Sequence, residues 1–510
     1  MKWRKWLGAW ICVSCCLGLV GCQPTPTENA VVSKGEGLNP EVISEPMGEG
    51  EIRETDIPEH WQTKELKNKD RMLFQVDLEL EKTDIQNLPV MEMKNKRLSE
   101  DELKKLVNYF VGEEECYQPQ PYTKETYEHV ISRIEKKEGF YAAFYYWMDQ
   151  RKIKASAEMG KESAPEKEAA PEKAELKFQK RFVDEAYEKT IKNKYTEIDD
   201  LYENREKEIW FEADVGENRG AHIQAETYEK EAGNSSSFSW MEGGEIMSPL
   251  DLESRRMFFE YQKENAFTDQ VLDKLSQFEN QFENQSFEAS DGEIQAKKVL
   301  EDLEIKGMSV EAQEPILWFS KESYPKGEVM IGETYDLFWL VNPEEAEYGY
   351  RYTYSRAIGG LHELEGDSAV VEQTEEMYAP PFPVETISVT VTESGVKEFT
   401  WTGMAEQVQI IAENTKLLPF SRIEERLKEQ ILYWYSSQTQ SQPENDTTQF
   451  KYEVREAELG YTYITAYGNP DHAWLVPAWR FLVVEGQKET SLQFLQFTIE
   501  ALEGRTIVGA

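Results

Sequence analysis

The stretch YGYRYTYSRAIGGL, residues 348–361, decides how the second half of the chain folds. Tyrosines occupy alternate positions in it, at Tyr348, Tyr350, Tyr352 and Tyr354. Because successive side chains of a β-strand point to opposite faces of the sheet, the four rings share one face. The alternation therefore predicts a strand. Its aromatic face is expected to pack in a core, which is a commoner role for such a face than sugar binding.

The sequence around this strand predicts a helix-plus-sheet unit over residues 286–415. Ser290 and Glu293 have the spacing of a capping box, which marks the beginning of a helix. The other predicted strands are EPILWF (314–319), YDLFWLV (335–341) and a hairpin, ISVTVTESGVKEFTW (387–401), turning at Ser394-Gly395. The unit is thus a helix followed by about four antiparallel strands.

The same order recurs over residues 416–510. Ser421 and Glu424 form a second capping-box pattern, and the following residues are apolar at helical spacing. The predicted strands are KYEVREAEL (451–459), YTYITAYG (461–468), AWLVPAWRFLVV (473–484) and LQFLQFTIEALEGRTIV (492–508). A helix laid on an antiparallel sheet buries the apolar face of both. The sequence therefore predicts an α+β fold that ends in two tandem helix-plus-antiparallel-sheet units.

Residues 66–285 predict a mixed α/β region rich in long helices. A chain of 510 residues is long enough for two to four domains. Residues 155–178 are of low complexity, with the unit Ala-Pro-Glu-Lys occurring twice, and predict a solvated loop because proline interrupts helices. The elements predicted around this insert are strands at 72–80 and 88–94, a helix opened by the capping box Ser99–Glu102, a helix over about 123–154, and a charged helix after residue 176.

The N-terminus has the pattern of a secretory signal over residues 1–21. MKWRKW is basic, and the next 14 residues are uncharged and mostly apolar, which is short for a membrane-spanning helix. Leu19-Val20-Gly21-Cys22 resembles the bacterial lipobox. The resemblance implies cleavage between Gly21 and Cys22 and a diacylglyceryl group on the Cys22 thiol, with palmitate as the expected acyl chain. Residues 22–65 are rich in Pro, Gly and Glu and predict a disordered tether.

The charge of the chain excludes some partners. It has 97 acidic residues against 56 Lys plus Arg, a net charge of −41. Nucleic-acid binding needs Lys and Arg to neutralise phosphates, and anionic lipid surfaces attract basic segments. We therefore expect no nucleic-acid partner, and membrane attachment only through the lipid on Cys22. The expected location is the outer face of the cell membrane.

Two strand patterns in the C-terminal half carry a resemblance to known families. The first is Tyr-x-Tyr-x-Arg-x-Ile-x-Gly at residues 352–360, and the second is LVPAWR at residues 475–480. With the helix-then-strands order they resemble PepSY modules and the extracytoplasmic domains of YycH/YycI-type regulators. That resemblance implies cystatin-like folds that bind proteins or membranes without catalytic residues. Those regulators carry a membrane helix, however, whereas this chain has a lipobox. As a whole the chain resembles surface lipoproteins of low-GC Gram-positive bacteria. This resemblance implies no particular activity.

The sequence contains no recognisable catalytic motif. None of the five histidines has a second histidine at metal-ligand spacing, and nucleophile-elbow and Walker patterns are absent. We expect no metal and no cofactor beyond the lipid. Three of the five cysteines lie in the signal, so Cys116 is the remaining thiol, and the acids around it disfavour a reactive thiolate. Arg356, Trp479 and Arg480 are candidate contacts for a ligand or partner, and the more ordinary alternative for the two arginines is a salt bridge within this acidic protein.

These observations favour a non-enzymatic, lipid-anchored protein that binds a protein partner in the cell envelope, in a regulatory or scaffolding role. One alternative is a lipoprotein that binds a peptide or glycan for a transporter. Another is a hydrolase whose site has no recognisable motif. Helix-then-strands units argue against the alternating α/β lobes typical of solute receptors, and the missing nucleophile motif argues against the hydrolase.

Overall fold

The fold is α+β, as predicted, and its antiparallel strands and helices divide between two compact units. The computed structural model describes residues 57–67, 71–80, 88–136, 150–180, 208–228, 235–253, 256, 268–283, 287–320, 341–366, 368, 381–439, 448–466, 468–487 and 491–507. Unit 1 comprises Met1–Lys94, Ile358–Val384 and Glu406–Ala510, and unit 2 comprises Asn95–Ala357 and Glu385–Ala405.

The helices and strands have these bounds. The α-helices with described bounds are α1 Glu100–Val111, α2 Lys124–Lys136, α3 Gln150–Ser163, α4 Thr268–Glu283, α5 Ala289–Asp302 and α6 Phe420–Thr439, and Pro343–Glu345 is a 3₁₀ turn. The strands are β1 His60–Lys67, β2 Met72–Glu79, β3 Val90–Asn95, β4 Cys116–Tyr117, β5 Gln179–Lys180, β6 Glu208–Val215, β7 Ala221–Tyr228, β8 Ser237–Glu242, β9 Gly244–Met247, β10 Met308–Ser320, β11 Glu347–Ile358, β12 Leu361–His362, β13 Thr386–Thr392, β14 Gly395–Thr402, β15 Ala405–Ala412, β16 Phe450–Ala466, β17 Asn469–Gln487, β18 Ser491–Glu500 and β19 Thr506–Ile507. No helix in the ranges given above is long and apolar enough to span a membrane.

In unit 1 the sheet has the order β1-β2-β16-β17-β18-β19, with β3 also paired to β17 and β15 paired to β3. The strands β16 to β19 follow one another as an antiparallel meander, whereas β2 joins β16 in parallel. Helix α6 buries Phe420, Ile423, Leu427 and Ile431, which recur at helical spacing along one face. The ring of Phe420 meets the ring of Trp61 edge to face, with 5.1 Å between the centroids. Packing of α6 against aromatic strands thus forms the core of this unit.

In unit 2 the strands follow the order β4-β6-β7-β8-β14-β13-β11-β10-β9, and β5 lies beside β6. Buried apolar residues of α1 and α5 share one core with the strands. The tyrosine strand is β11, and its rings pack in apolar clusters as predicted: Tyr352 and Tyr354 are buried in this core, Tyr350 packs against it, and Tyr348 packs against a second cluster of unit 2. The Tyr352 hydroxyl donates a hydrogen bond to the Ala289 carbonyl at 2.6 Å, which ties β11 to the first turn of α5.

The capping-box predictions had different outcomes. At α1 the prediction is confirmed: the Ser99 hydroxyl accepts from the Glu102 N–H at 3.3 Å, and Glu102 accepts from the Ser99 N–H at 3.0 Å. At α5 it is wrong, because Glu288 precedes the helix and gives no side-chain cap. At α6 it is also wrong, because the helix already begins at Phe420 and its box serine lies inside the first turn. The carbonyls of Glu288 and Pro419 already accept helical hydrogen bonds from the Gly292 and Ile423 N–H groups, each at 3.3 Å, so both helices begin before the box serines.

Other element boundaries also differ from the sequence prediction. The hairpin of β13 and β14 is as predicted. Strand β1 begins at His60 with Trp61 buried, so ordered structure begins before the predicted end of the tether. Helix α3 runs to Ser163, because the prolines of the insert stand only after that point. Beyond it the insert pairs with β4 rather than forming a free loop: the Ala174 N–H donates to the Cys116 carbonyl at 2.9 Å.

Some predicted elements lie wholly or mainly outside the described residues. These are the strand at 335–341, the middle of the helix predicted over 123–154, and most of the charged helix predicted after residue 176. The described start of that charged helix is strand β5, which pairs with β6. The signal over residues 1–21, and most of the tether, also lie outside the described residues.

Candidate functional site

Strand β15, with the sequence AEQVQIIA, is unusually exposed for a strand. Its five successive residues from Glu406 to Ile410 are all exposed. Because successive strand residues point to opposite faces, neither face of this stretch is covered. Val408 and Ile410 expose 43% and 51% of their surface although both are aliphatic. The strand therefore presents aliphatic side chains on a surface that no described residue of unit 1 covers.

Strand β15 is also an edge. Among the strands that the structure describes, it pairs with β3 and with no other, and β3 lies between it and β17. An edge strand has one row of backbone N–H and C=O groups that are not used in its own sheet. Such a row can accept an extended segment of another chain as an additional strand.

The charges beside β15 are neutralised within the unit. The Lys94 ammonium lies 2.7 Å from a Glu406 carboxylate oxygen. The Gln409 amide donates to Glu92 at 2.5 Å, and the His472 Nδ1 atom lies 2.7 Å from the other Glu92 oxygen. Burial acts to raise the pKa of Glu92, but these two hydrogen bonds outweigh it and hold the pKa below the ordinary value. The strand itself carries one charge, on Glu406, and that charge is paired.

The opposite edge of the same sheet, β1, differs in a way that makes β15 distinctive. Its sequence, HWQTKELK, places charged residues on both sides of its one exposed apolar residue, Leu66. Lys428 of α6 lies 2.5 Å from Glu65 and 2.8 Å from Glu424, and Thr63 donates to Glu424 at 2.9 Å. Charged residues and cover by another element are the usual means of protecting a sheet edge from pairing. Strand β1 has both, whereas Glu406–Ile410 of β15 contains one charged residue, Glu406, which is paired with Lys94, and no element that the structure describes covers it.

The structure places the predicted contact residue Arg356 in an internal ion pair. The Arg356 guanidinium contacts the carboxylate of Glu385, which is 3% exposed, and it also donates to the Ala405 carbonyl at 3.4 Å. The other Glu385 oxygen accepts from the Trp401 indole N–H at 2.9 Å. Burial raises the pKa of Glu385 despite the neighbouring guanidinium. This geometry is that of the salt bridge weighed as the alternative to a ligand contact.

Trp479 and Arg480 occupy different environments although they are neighbours. Trp479 is 4% exposed, with its ring 5.0 Å from Phe420 and 6.0 Å from Phe481 between centroids. Arg480 points to the other face of β17, where its guanidinium lies 2.7 Å from the carboxylate of Glu458 directly opposite on β16. The structure thus places Trp479 in the core of unit 1 and leaves Arg480 in a partly exposed ion pair. Both residues belong to unit 1, whereas Arg356 belongs to unit 2.

The remaining predicted residues concern the anchor and the thiol. Gly21 and Cys22, predicted as the cleavage and lipidation site, lie outside the described residues. Cys116 is a free, buried thiol, and burial raises its pKa to about 11. Burial rather than the neighbouring acids therefore makes it unreactive. Within the ranges that the structure describes, no group of three or more His, Cys, Asp or Glu residues is arranged to hold a metal.

Unit 2 contains a titratable cluster that was not predicted from the sequence. The His222 Nε2 atom lies 3.3 Å from Glu212 and the Nδ1 atom lies 3.0 Å from Asp214. Burial acts to lower the His222 pKa, but the two carboxylates outweigh it and raise the pKa to about 9. The alternation in WFEADV puts Glu212 and Asp214 on one face of β6, which the sequence could have indicated. The register that sets Asp214 opposite His222 depends on the hairpin between β6 and β7.

No family model matches the chain, and no curated protein matches its sequence. Among solved structures, the chain is similar to the crystal structure of an uncharacterized protein from Eubacterium rectale. The sequence identity is 10% and the TM-score is 0.41, over 88% of this chain and 93% of that chain. A likeness at this level carries no argument about function.

Proposed function

We propose that the protein is a lipid-anchored extracytoplasmic binding protein whose unit 1 takes a protein partner by strand addition at β15. The observation that carries this proposal is the exposed edge of β15 along Glu406–Ile410. Main-chain hydrogen bonds to an added strand supply affinity, and the side chains of alternate residues supply specificity. The partner is therefore a protein that offers an extended segment with aliphatic residues to meet Val408 and Ile410.

A different protein fits this edge better than a second copy of the chain. Two copies, each with a net charge of −41, repel one another, and this repulsion opposes self-pairing. Strand β15 offers no charge to offset that repulsion, because its one acid is already paired with Lys94. A partner of lower negative charge meets the same neutral, aliphatic edge without this penalty.

The anchor in this proposal is the diacylglyceryl group on Cys22, after cleavage between Gly21 and Cys22. The support is the agreement of three sequence features, namely the basic start, the 14-residue apolar run and the lipobox. Two acyl chains give stable attachment where a single chain is marginal, so they hold even an acidic protein at a membrane. The protein then lies on the outer face of the cell membrane.

For the fold, we propose that the two C-terminal helix-plus-sheet segments are cystatin-like modules of the PepSY or YycH/YycI type. The support is the order of elements: α5 precedes β10, β11, β13 and β14, and α6 precedes β16 to β19. In both segments consecutive strands are antiparallel neighbours. Modules of that type bind other proteins, in keeping with a regulatory or scaffolding role.

Partner binding is tested with a photo-crosslinking amino acid placed at residue 408 of the full chain in living cells. We expect a discrete crosslinked product with one envelope protein, and none from the matched position 66 on β1. The captured protein, once purified, should slow amide hydrogen exchange in β15 of the full chain. The variant Val408→Lys/Ile410→Lys should abolish that protection, while Leu66→Lys should keep it. Crosslinking to a second copy of this chain, or equal products from positions 408 and 66, would overturn the proposal.

The anchor is tested separately. Mass spectrometry should find a diacylglyceryl group on Cys22 at a new N-terminus, and Cys22→Ser should move the protein out of the membrane fraction. An unmodified Cys22 in a protein that still partitions with membranes after Cys22→Ser contradicts the lipid anchor. That result leaves the strand-addition experiment unaffected.

A further inference from the structure

A small cavity lies in unit 2 beside β5 and β6. Its volume is about 210 Å³, and Phe211 backs it. The side chains that decide its chemistry are two amides, two carboxylates, an ammonium and an indole: Gln118, Gln179, Glu175, Glu212, Lys177 and Trp210. Sites for drug-sized ligands measure about 300–1,000 Å³, so this cavity has room for one ring-sized group.

The two carboxylates and one ammonium that line the cavity are balanced once the neighbouring His222 is included. Lys177 forms an ion pair with Glu175. Glu212 lies 3.3 Å from the imidazole of His222, whose pKa is raised to about 9. Asp214 lies 3.0 Å from the same imidazole and 3.7 Å from the Arg219 guanidinium, so these four groups together are neutral at neutral pH. A site without net charge has no electrostatic preference for a phosphate or for an amine. It suits a neutral ligand.

The carboxylate of Glu212 is held in place before any ligand arrives. One oxygen accepts from the Trp210 indole N–H at 3.2 Å, and the other faces His222. His222 is fixed in turn by Asp214 at 3.0 Å, and Asp214 lies 3.7 Å from the Arg219 guanidinium. Such preorganisation reduces the entropy lost when a ligand binds.

The same ion pairs argue for binding rather than hydrolysis. A glycosidase needs one carboxyl group with a raised pKa to protonate the leaving group. Here the hydrogen bonds from Lys177 and His222 lower the pKa of Glu175 and of Glu212. Both groups are ionised at neutral pH and act as hydrogen-bond acceptors.

We propose that this cavity binds one neutral sugar ring. Vicinal hydroxyl groups are both donors and acceptors, and the two amides, the two carboxylates and the ammonium match them. The indole of Trp210 supplies an apolar surface for the C–H groups of the ring. This site is in unit 2 and is independent of the partner edge proposed on β15.

The test is saturation-transfer NMR and calorimetry on the full chain in detergent micelles. The probes are glucose and N-acetylglucosamine, with glucose 6-phosphate and glucosamine as charged controls. We expect millimolar binding of at least one neutral sugar and at least tenfold weaker binding of its charged counterpart. Methyl glycosides mimic the end of a glycan and not a free monosaccharide. Binding of a methyl glycoside therefore indicates that the cavity takes the end of a glycan.

The variants make the assignment specific. Gln118→Ala/Gln179→Ala should weaken neutral-sugar binding at least tenfold, and Trp210→Phe should weaken it less, since a smaller ring remains. Gln224→Ala is the matched control, because Gln224 lies opposite Glu212 on β7 but does not line the cavity. Unchanged hydrogen exchange in β6 and β7 verifies that each variant is folded. Absence of binding by both neutral sugars, tighter binding of a charged control, or equal losses in the cavity and control variants would overturn the proposal.

Discussion

Replacing Arg356 by methionine discriminates between a structural and a ligand-binding role for this residue. Methionine keeps much of the length of the side chain but removes the guanidinium that contacts Glu385. Glu385 is 3% exposed, and after the change it keeps the Trp401 indole, 2.9 Å away, as a side-chain donor. The variant therefore has a buried carboxylate without its cation, and it should be less stable. If Arg356 contacted only a ligand, its replacement would leave stability unaffected.

The size of the effect follows from burial and from the pKa of Glu385. Removing one partner of a buried ion pair lowers the free energy of unfolding by about 3–5 kcal/mol. The loss lies below the upper end of this range where the remaining group can take up a proton and become neutral. Burial already raises the pKa of Glu385, and loss of Arg356 raises it further. A folded-state pKa above the unfolded value means that the folded state binds more protons, so stability falls as pH rises between the two values. We expect Arg356→Met to cost about 3 kcal/mol near pH 8 and less at lower pH, with a slope of at most about 1.4 kcal/mol per pH unit.

The assay is hydrogen exchange measured by mass spectrometry on peptides of β13 and β14, because local exchange reports the free energy of this sheet. The double variant Arg356→Met/Glu385→Gln should recover most of the stability and lose the added pH dependence. Arg351→Met is the matched control on the same strand; its guanidinium is 3.7 Å from Glu314 and 3.8 Å from Glu398, so we expect a loss below about 1 kcal/mol. A loss for Arg356→Met no larger than that of the control, at every pH, would refute the structural role.

Three further changes test other parts of the fold. The pKa of His222 is raised to about 9, so the stability that this residue contributes is complete below about pH 6.5 and is lost as the pH rises through about 9. Raising the pH through about 9 should therefore destabilise the β6–β7 hairpin by about 1–2 kcal/mol after solvent screening. Hydrogen exchange in these two strands measures the loss, and His222→Gln should remove the pH dependence. Trp479→Ala should lower the unfolding free energy of unit 1 by about 3–5 kcal/mol and Arg480→Ala by less than about 1 kcal/mol, measured by denaturant titration; equal losses would contradict the core assignment. Gly349→Ala should destabilise unit 2 by at least about 1–3 kcal/mol, because an added Cβ would lie 2.2 Å from the Val391 carbonyl oxygen; an unchanged melting temperature would refute this close approach.

Sequence patterns predicted those elements whose periodicity is set by one buried face. The alternating tyrosines of β11 and the apolar stripe of α6 are such cases, because every residue that points inward must be apolar. Capping boxes were less informative, since a serine followed by a glutamate three residues later is common in a chain with 97 acids. One of the three predicted boxes is observed, at Ser99.

The candidate sites were beyond sequence analysis for a different reason. Strand β15 has no special composition, and its significance comes from lying at an edge, which only the pairing with β3 reveals. The Glu212–His222–Asp214 cluster likewise depends on a cross-strand register. Arg356 and Trp479 were singled out because arginine and tryptophan often mediate contacts, but the burial of Glu385 and of Trp479 is a tertiary property. Composition alone could not distinguish an internal ion pair from an external one.

The parallel pairing of β2 with β16 has a consequence for the order in which the chain is completed. Phe450 lies opposite Met72 in this pairing, and the residues of unit 2 lie between them in the sequence. During synthesis from the N-terminus, all of unit 2 is made before β16. Unit 2 is therefore free to fold while β2 of the β1–β2 hairpin still lacks its neighbour β16. Contacts this distant in sequence form slowly, because a long loop must close first. A chain interrupted between Ala405 and Phe450 would therefore contain a complete unit 2 and a β1–β2 hairpin without its parallel neighbour, a state that quality-control proteases can recognise.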